Sequence, residues 1–528
     1  MKNYFITFTL VMTVFLASVA KAQPALLWQK TYGGSGHEYA CKTIPSSDGG
    51  FAFVGFSESS DGDVSANHGG EDLWVAKTSA SGTIQWSFLF GGTADEEGYD
   101  LVQTTDGGFM VAGWTDSYDG DVTGHHGTSS SDIWLLKLTA AGALSWAKCY
   151  GGTSDDEAKA IVKTLDGNFY VSGSTYSNDG DVSGNHANYY ADFWVIKIDA
   201  SGTLLNQKCV GGTNYDEGIN MALTSDNGCI LCGRTGSGDG DAVGYHGGSD
   251  MLIAKLDASF TVEWSKCYGG TETEECNAIV QLTDGSYTAL GYTSTHNNGD
   301  ITGHHGAQGA DDFWLIHLTS TGALSWAKCL GGSGDDQANG LAATADGGYI
   351  LTGLTNSTDG DVTGFHSAMF EPDVWIAKVN AGGTLQWQRC CGGTGQDEAF
   401  NVFELSNGVY VVTAFSYSAD YDVTNNHGSA DGWIFKVSGS TGIEVYDEGM
   451  LMALYPNPTA SLLNIDLQPY TGTLYVQIIN AYGQLLYEKT LFDDLTIDLS
   501  DMHLNNGQYF LKINDGKHFA VRKFIISY

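Results

Sequence analysis

The 528-residue sequence is poor in proline and in positive charge. It contains 6 prolines and 71 glycines, so its tight turns depend on glycine. Its 23 lysines and arginines stand against 62 aspartates and glutamates, which gives a formal net charge of -39. A protein with so large a negative charge repels the phosphates of nucleic acid, so nucleic acid is a poor partner. Cations and neutral polymers remain open as partners.

Long apolar runs are absent beyond the first 22 residues. The run at residues 4–19 follows Lys2 and ends in Ala20-Lys21-Ala22, which is typical of a secretory signal peptide cleaved before Gln23. Nothing later in the sequence is long enough to cross a bilayer as a helix. We therefore predict a signal peptide at residues 1–22 and an exported product without a transmembrane segment after cleavage.

One motif, best seen at residues 119–134, occurs seven times along the chain, and we call each copy a marker loop. It begins with Asp119-Gly120-Asp121, has His126 five positions after the second Asp, and ends at an aspartate, Asp132, that we call the closing aspartate. A spacing kept this closely within one chain indicates that one backbone structure is repeated. The copies begin at Asp61, Asp119, Asp179, Asp239, Asn298, Asp359 and Asp420.

A Gly-Gly pair marks each repeat, and successive pairs are 58 to 62 residues apart. In the second repeat, residues 98–105 end in the hairpin signal Asp106-Gly107-Gly108, and residues 109–115, 132–138 and 143–150 also resemble strands. Units of four antiparallel strands are propeller blades. We therefore predict an all-β chain whose residues 23–446 form a seven-bladed β-propeller of four-stranded blades.

The first residues after the signal peptide match the fourth strand of a blade, although no first three strands precede them. The segment 26–32 has the same pattern as the segment 146–150. We predict that it pairs with the last blade beside residues 433–437 and closes the ring, which leaves no open sheet edge. Residues 442–447 have lost the fourth-strand pattern, which indicates a displaced strand.

The composition changes near Met452, and a series of short motifs follows that has no counterpart in the repeats. These motifs are Tyr455-Pro456-Asn457-Pro458, Leu463-Asn464-Ile465, Ile479-Asn480-Ala481-Tyr482-Gly483-Gln484, Ile497-Asp498-Leu499-Ser500, residues 507–513 and Lys523-Phe524-Ile525. Together and in this order they resemble the C-terminal sorting domain of type IX secretion cargo.

This resemblance implies a small Ig-like β-sandwich at residues 454–528, after a linker at 447–453. It also implies recognition by the outer-membrane secretion machinery of Bacteroidota-type bacteria, with the product secreted or attached to the outer-membrane surface. The repeats resemble a glycine-rich propeller family common among such cargo, for which no activity is assigned.

The direction of the strands places the marker loops on the same face of the disc as the segments that follow each Gly-Gly pair. Each of these segments has an acid four positions after the second glycine, which we call the lead acid. We therefore expect an acidic face, and we expect any ligand there. The lead acids are Glu38, Glu96, Asp156, Asp216, Glu274, Asp336 and Asp397.

Two interpretations of the marker loops remain open. Carboxylates separated by one glycine can converge on Ca²⁺, the one cofactor that the sequence suggests. In the other interpretation, which we favour, the aspartates cap turn amides and the histidine donates a hydrogen bond to a carboxylate, fastening the loop to its blade. The candidate metal ligands are Asp61, Asp63, Asp119, Asp121, Asp179, Asp181, Asp239, Asp241, Asp359 and Asp361.

Aromatic residues that depart from the repeat are the candidate ligand contacts: Trp114, Tyr189, Tyr190, Tyr245 and Phe370. Aromatic rings beside carboxylates suit stacking on sugars, so glycan binding is one hypothesis, and simple packing of the loops is the alternative. The motifs of serine hydrolases, phosphate-binding loops and zinc proteases are absent. We therefore expect a surface or extracellular binding module. A polysaccharide-active enzyme that uses a divergent blade loop and a structural surface component are the alternatives.

The ten cysteines do not form a disulfide pattern. Five of them occupy one register position in successive repeats, and equivalent positions on neighbouring units seldom come within bonding distance. We predict that these are small buried apolar side chains. The single Cys229-Ile230-Leu231-Cys232 motif lies in a predicted strand, and without a second pair it does not suggest a zinc site.

Overall fold

The computed structural model describes residues 24–439, apart from 188, 368–370 and 407, and eight segments after residue 450. The chain divides into two compact units, one of them Pro24–Gly439 and the other containing Ser440–Tyr528. The predicted signal peptide lies outside the described residues and stays a prediction. No helix in the described part has the length and apolarity needed to span a membrane. The eight segments are 451–455, 459, 462–468, 474–480, 485–491, 496–502, 504–514 and 519–526.

The larger unit contains seven four-stranded antiparallel sheets, which confirms the predicted blades. In the first six blades the strands follow chain order, and the innermost strands of neighbouring blades contact each other around the ring. The strands are β1 (Ala25–Tyr32), β2 (Glu38–Pro45), β3 (Phe51–Ser57), β4 (Asp72–Thr78), β5 (Ile84–Phe90), β6 (Glu96–Gln103), β7 (Phe109–Thr115), β8 (Asp132–Leu138), β9 (Leu144–Tyr150), β10 (Asp156–Lys163), β11 (Phe169–Thr175), β12 (Asp192–Ile198), β13 (Leu204–Val210), β14 (Asp216–Leu223), β15 (Cys229–Thr235), β16 (Asp250–Leu256), β17 (Val262–Tyr268), β18 (Glu274–Gln281), β19 (Tyr287–Thr293), β20 (Asp312–Leu318), β21 (Leu324–Leu330), β22 (Asp336–Ala343), β23 (Tyr349–Thr355), β24 (Asp373–Val379), β25 (Leu385–Cys391), β26 (Asp397–Ser406), β27 (Val409–Ser416) and β28 (Asp431–Ser438).

The seventh blade is completed by the N-terminal strand, as the sequence predicts. Strand β1 pairs antiparallel with β28, from Ala25 opposite Ser438 to Tyr32 opposite Gly432. The join is reinforced by Arg389, whose Nη1 donates to the carbonyl oxygen of Pro24 at 2.6 Å. Strand β26 of this blade contacts β2 of the first, so the ring is closed. The predicted fate of residues 442–447 lies outside the described residues.

Neighbouring blades pack through apolar side chains on both faces of each sheet. The third strand of every blade is nearly continuous apolar sequence, as a strand covered on both sides requires. Its third residue is a fully buried tryptophan in six blades, and in each case a glycine or alanine of the second strand lies opposite it. These tryptophans are Trp74, Trp134, Trp194, Trp314, Trp375 and Trp433.

Every innermost strand contains a β-bulge at the same position. In the second blade Gly98 pairs with Gly113 and Asp100 pairs with Ala112, so Tyr99 is the extra residue. A bulge turns one additional side chain out of the regular alternation. The seven bulged residues are Cys41, Tyr99, Lys159, Ile219, Asn277, Asn339 and Phe400.

The second unit contains two β-sheets, with strand orders β29-β30-β33 and β32-β31-β34-β35. Leu463 and Ile497 of the first sheet share one buried core with Val476 and Leu511 of the second, which makes a small sandwich. Its first strand begins at Leu451, inside the predicted linker. The elements are β29 (Leu451–Tyr455), β30 (Leu462–Gln468), β31 (Leu474–Asn480), β32 (Leu485–Leu491), β33 (Thr496–Asp498), the 3₁₀ turn Ser500–Met502, β34 (Gly507–Asn514) and β35 (Phe519–Ile526).

Candidate binding site on the propeller axis

The marker aspartates cap the turn that follows each Gly-Gly pair. Asp119 Oδ1 accepts a hydrogen bond of 2.8 Å from the backbone N–H of Thr93, and the N–H of Asp121 donates to the carbonyl of Gly91 at 2.9 Å. Gly120 has φ +66, and a Cβ there would stand 2.3 Å from that same carbonyl oxygen, so the position requires glycine. The equivalent amide bonds to the first aspartate form at Asp61, Asp179, Asp239, Asp359 and Asp420.

The marker histidines fasten these loops to the blades. His126 Nδ1 lies 2.7 Å from Oδ2 of the closing aspartate Asp132, which also accepts a bond of 2.9 Å from the backbone N–H of His126. The predicted hydrogen bond is present in all seven blades, at 2.6 to 2.9 Å. Within the described residues, no three His, Cys, Asp or Glu side chains are grouped as a metal site would need. Calcium binding stays a prediction.

The expectation that the lead acids face a ligand is wrong. All seven are fully buried, because they satisfy the hydrogen-bond donors of the tight turn. Glu96 Oε2 accepts from the N–H of Gly92 at 2.7 Å, and its Oε1 accepts from the Thr115 hydroxyl at 2.7 Å. The closing aspartates are also fully buried. The lead acid and the closing aspartate, which the sequence assigns to the acidic face, are therefore buried where two neighbouring blades meet, a region that we call the blade junction.

The aromatic residues proposed from the sequence are distributed over different blades. Tyr189 and Tyr190 are 87% and 49% exposed in the third marker loop. Tyr245 is partly buried in the fourth, and its hydroxyl donates to the carbonyl of Gly248 at 2.6 Å. Trp114 lies on β7 opposite Glu97. Phe370 lies outside the described residues, and a ligand role for these five stays a prediction.

A cavity of about 390 Å³ lies on the propeller axis and is lined by the bulged residue of all seven blades. Small-molecule sites commonly occupy about 300–1,000 Å³. The residue type at the bulge differs from blade to blade, so this sevenfold-repeated fold contains one asymmetric site. The lining residues are Tyr39, Cys41, Lys42, Phe56, Tyr99, Asp100, Lys159, Glu217, Ile219, Asn220, Glu275, Asn277, Asn339 and Phe400.

One side of this axial pocket is aromatic. The rings of Tyr39 and Phe56 in the first blade stack with centroids 4.9 Å apart. Tyr99 of the second blade and Phe400 of the seventh extend this side, since these three blades are neighbours in the ring. Aromatic faces of this kind take the apolar face of a sugar or another flat ligand.

The opposite side, from the fourth to the sixth blade, is rich in amides. Asn277 Nδ2 donates to the carbonyl of Ala338 at 2.9 Å, and Asn339 Nδ2 donates to Glu398 Oε1 at 3.0 Å. Asn220 contributes a third amide to the lining. The Nδ2 groups of Asn277 and Asn339 each make two hydrogen bonds within the protein, so these side chains offer their carbonyl oxygens as acceptors for the hydroxyl groups of a ligand.

Two lysines enter the pocket, and each is paired with a carboxylate. Lys159 Nζ lies 3.7 Å from the ring centroid of Tyr99 and 3.1 Å from Glu157 Oε2. Lys42 Nζ lies 3.8 Å from Asp100 Oδ1. Burial raises the pKa of Asp100, although the charge of Lys42 opposes this. The pocket is thus polar but contains few uncompensated charges.

Glutamates follow the lead acid in five of the innermost strands and form a partial ring. Arg234 bridges two of them, with guanidinium nitrogens 2.6 Å from Glu217 and 3.1 Å from Glu275. Burial raises the pKa of Glu275 against the opposing charge of Arg234. It also raises the pKa of Glu97, so this ring resists full ionisation.

The sequence contains one sign of this site that its repeat pattern does not reveal, which is a glycine in the second strand. In six blades the residue of the second strand opposite the bulge is a glycine, and a Cβ there would stand 1.7 to 2.0 Å from a carbonyl oxygen of the innermost strand. An isolated glycine inside a strand indicates a bulge or a close backbone approach. These glycines are Gly55, Gly113, Gly173, Gly233, Gly291 and Gly353.

Comparison with known proteins identifies the second unit. Residues 453–527 match the family described as the secretion system C-terminal sorting domain. The chain carries a type IX sorting domain. It is exported by type IX secretion to the cell surface or beyond, which confirms the localisation expected from the sequence.

The propeller has more distant similarities. The regulatory protein FlaEY of Caulobacter vibrioides is 23% identical over 418 residues, which cover 71% of this chain and 42% of that relative. The WD40 domain of Pan2 from Neurospora crassa is similar at 9% identity and a TM-score of 0.43, with 80% of this chain and 98% of that chain covered. PorZ, a surface component of the type IX system of Porphyromonas gingivalis, is similar at 12% identity and a TM-score of 0.20, with 97% and 88% covered.

Proposed function

We propose that this exported propeller is a binding module that holds a glycan in the axial pocket. The observation that carries the proposal is the asymmetry of the bulge ring, which sets Tyr39, Phe56 and Tyr99 opposite Asn277 and Asn339. An aromatic side that stacks on a sugar ring and an amide side that bonds to its hydroxyls are complementary requirements of carbohydrate recognition.

The test is a glycan array with the mature full-length chain, followed by calorimetric titration of the strongest hit. Asn277→Ala and Tyr99→Ala are expected to weaken binding by about 10-fold or more, since each removes a direct contact of about 1.4 kcal/mol or more. Tyr189→Ala and Tyr190→Ala are matched controls, because these rings lie in an exposed loop of the third blade.

The outcomes separate the candidate functions. Loss of binding in the tyrosine 189 and 190 variants, with the pocket variants unchanged, would move the site to the marker loops. An array without a hit would remove the glycan and favour a structural surface component.

A polysaccharide-active enzyme is the second candidate, and one carboxyl group supports it. Glu71 precedes the closing aspartate of the first blade, where four of the other six blades have a serine or an alanine. Burial together with the carboxylates of Glu97 and Asp95 raises the pKa of Glu71 to about 7. A carboxyl group with a raised pKa beside a second carboxylate suits general acid and base chemistry. Release of reducing ends from a polysaccharide panel, lost in Glu71→Gln with binding retained, would establish this activity.

A further inference from the structure

Each blade junction contains two buried carboxyl groups, and in most junctions both lie beside the first glycine of the Gly-Gly pair. Between the second and third blades these are the closing aspartate Asp132 and the lead acid Asp156, both fully buried. Asp156 Oδ2 and Asp132 Oδ1 lie 2.5 and 3.1 Å from the point where a Cβ of Gly151 would stand. In six of the seven junctions both oxygens lie within 3.1 Å of the corresponding point. The pairs are Asp72 with Glu96, Asp132 with Asp156, Asp192 with Asp216, Asp250 with Glu274, Asp312 with Asp336, Asp373 with Asp397 and Asp431 with Glu38.

Within the part of the chain that the structure describes, one oxygen of every closing aspartate receives no hydrogen bond. Oδ2 of Asp132 accepts two bonds from His126, but Oδ1 accepts none from the described residues. The same atom is without a donor in all seven closing aspartates. Native proteins rarely leave a buried carboxylate oxygen unpaired, and sevenfold repetition excludes an accident of one loop. The closing aspartate of each junction therefore lacks one hydrogen-bond donor, and in the junction of the second and third blades Asp156 Oδ1 lacks one as well.

The neighbouring titratable groups do not supply that hydrogen. His126 gives its Nδ1–H to Oδ2 of Asp132, while its Nε2 faces Asp181 Oδ2 at 3.7 Å. The thiol of Cys149 also lies near Asp132 but makes no hydrogen bond to its Oδ1. Gly152 N–H and the Ser177 hydroxyl are already committed to Asp156.

We propose that each blade junction is a proton-binding site, in which a single proton is shared between the closing aspartate of one blade and the lead acid of the next. The proton removes the repulsion between two carboxylates and supplies the missing hydrogen bond. Because every junction around the ring has this pair, proton binding stabilises the packing between neighbouring blades. The pKa values agree with this, since burial and the neighbouring closing aspartate raise the pKa of Asp156, Asp336 and Asp397 to about 7.

The sign of the pH dependence follows from the direction of these shifts. In the unfolded chain the same groups have a pKa near 4, about 3.9 for aspartate and 4.3 for glutamate. Between pH 4 and pH 7 the folded ring therefore holds protons that the unfolded chain releases. The stabilisation that these protons contribute is therefore fully present below about pH 4 and is lost as the pH rises through about 7.

The first test is infrared spectroscopy of the mature protein at pH 6, where the folded chain is expected to retain the carbonyl band of protonated carboxyl groups and the unfolded chain to lose it. The second test is the melting temperature between pH 5 and pH 8 for Asp132→Asn, alone and combined with Asp312→Asn and Asp373→Asn. Asparagine still accepts from the histidine, and its amide donates to the facing carboxylate without a proton. We expect a smaller fall of the melting temperature with pH, in proportion to the number of junctions changed.

Asp119→Asn, Asp179→Asn and Asp359→Asn are the matched controls, because these aspartates cap turns at the exposed marker and should leave the slope unchanged. An absent carboxyl band at pH 6 would overturn the proposal and leave bridging water as the occupant of the junctions. So would an unchanged slope in the three-junction variant. If that variant fails to fold, the infrared measurement on the unmodified protein still decides.

Discussion

Gly113 on the second strand of its blade faces the backbone of Glu97, and a Cβ on this glycine would stand 1.9 Å from the Glu97 carbonyl oxygen. The bulge at Tyr99 brings the two backbones this close. Gly113→Ala is therefore expected to lower the free energy of unfolding by about 2–3 kcal/mol, since the innermost strand has to shift. Chemical denaturation measures this loss. Gly382→Ala is the control, because the nearest atom to its Cβ would be 3.5 Å away, and an equal loss there would contradict the argument.

The hydrogen bond between His126 and Asp132 predicts a stability effect without an effect on export. His126→Ala removes one of the two bonds to a buried carboxylate oxygen, which is expected to cost about 1–3 kcal/mol of unfolding free energy. Thermal unfolding and surface labelling of cells measure the two quantities. His296 is exposed, and its replacement by alanine should change neither. Loss of export in His126→Ala would show that the propeller takes part in sorting.

The ten cysteines are all buried and free, as the sequence predicts for those on the fourth strand. Burial raises the pKa of thiols such as Cys209 and Cys267, so they are poor nucleophiles in the folded state. We expect no reaction with an aqueous thiol reagent before unfolding and ten reactive thiols after it. Eight thiols would instead indicate one disulfide, and Cys232 with Cys276 would be the pair to examine, because Cys232 Sγ lies 3.6 Å from the Cys276 carbonyl oxygen.

We expect removal of the sorting domain to prevent export without preventing the propeller from folding. A chain without residues 453–527 should fold its propeller but accumulate inside the cell envelope, since the family match that indicates type IX sorting lies within these residues. Immunodetection in surface and envelope fractions measures this. Appearance of the truncated chain on the cell surface would show that another segment carries the export signal.

Much of the fold is predictable from the sequence because the repeats are so regular. The seven marker loops give the number of blades, and the match of residues 26–32 to a fourth strand predicts the closure that β1 makes with β28. The hydrogen bond between the marker histidine and the closing aspartate also follows from their fixed spacing.

The candidate site is less predictable, because the type of a residue does not determine how deeply its side chain is buried. Glu96 and Asp132 read as surface carboxylates because they border loops, but the tight turns draw both into the junction. Tyr99 and Asn277 read as ordinary strand residues, because only the bulge turns them to the axis. Gly113 and Gly291 carry the signal for that bulge, although it indicates a backbone feature and not a ligand.

The closed ring underlies the axial pocket, since the cavity is lined by all seven blades only if β1 locks the seventh to the first. Hydrogen–deuterium exchange of the peptide covering Ala25–Tyr32 tests this most directly. Amides paired to β28 are expected to exchange as slowly as those of β28 itself, over about minutes to hours. Complete exchange of this peptide within seconds, with β28 still protected, would contradict the closed ring and the pocket that depends on it.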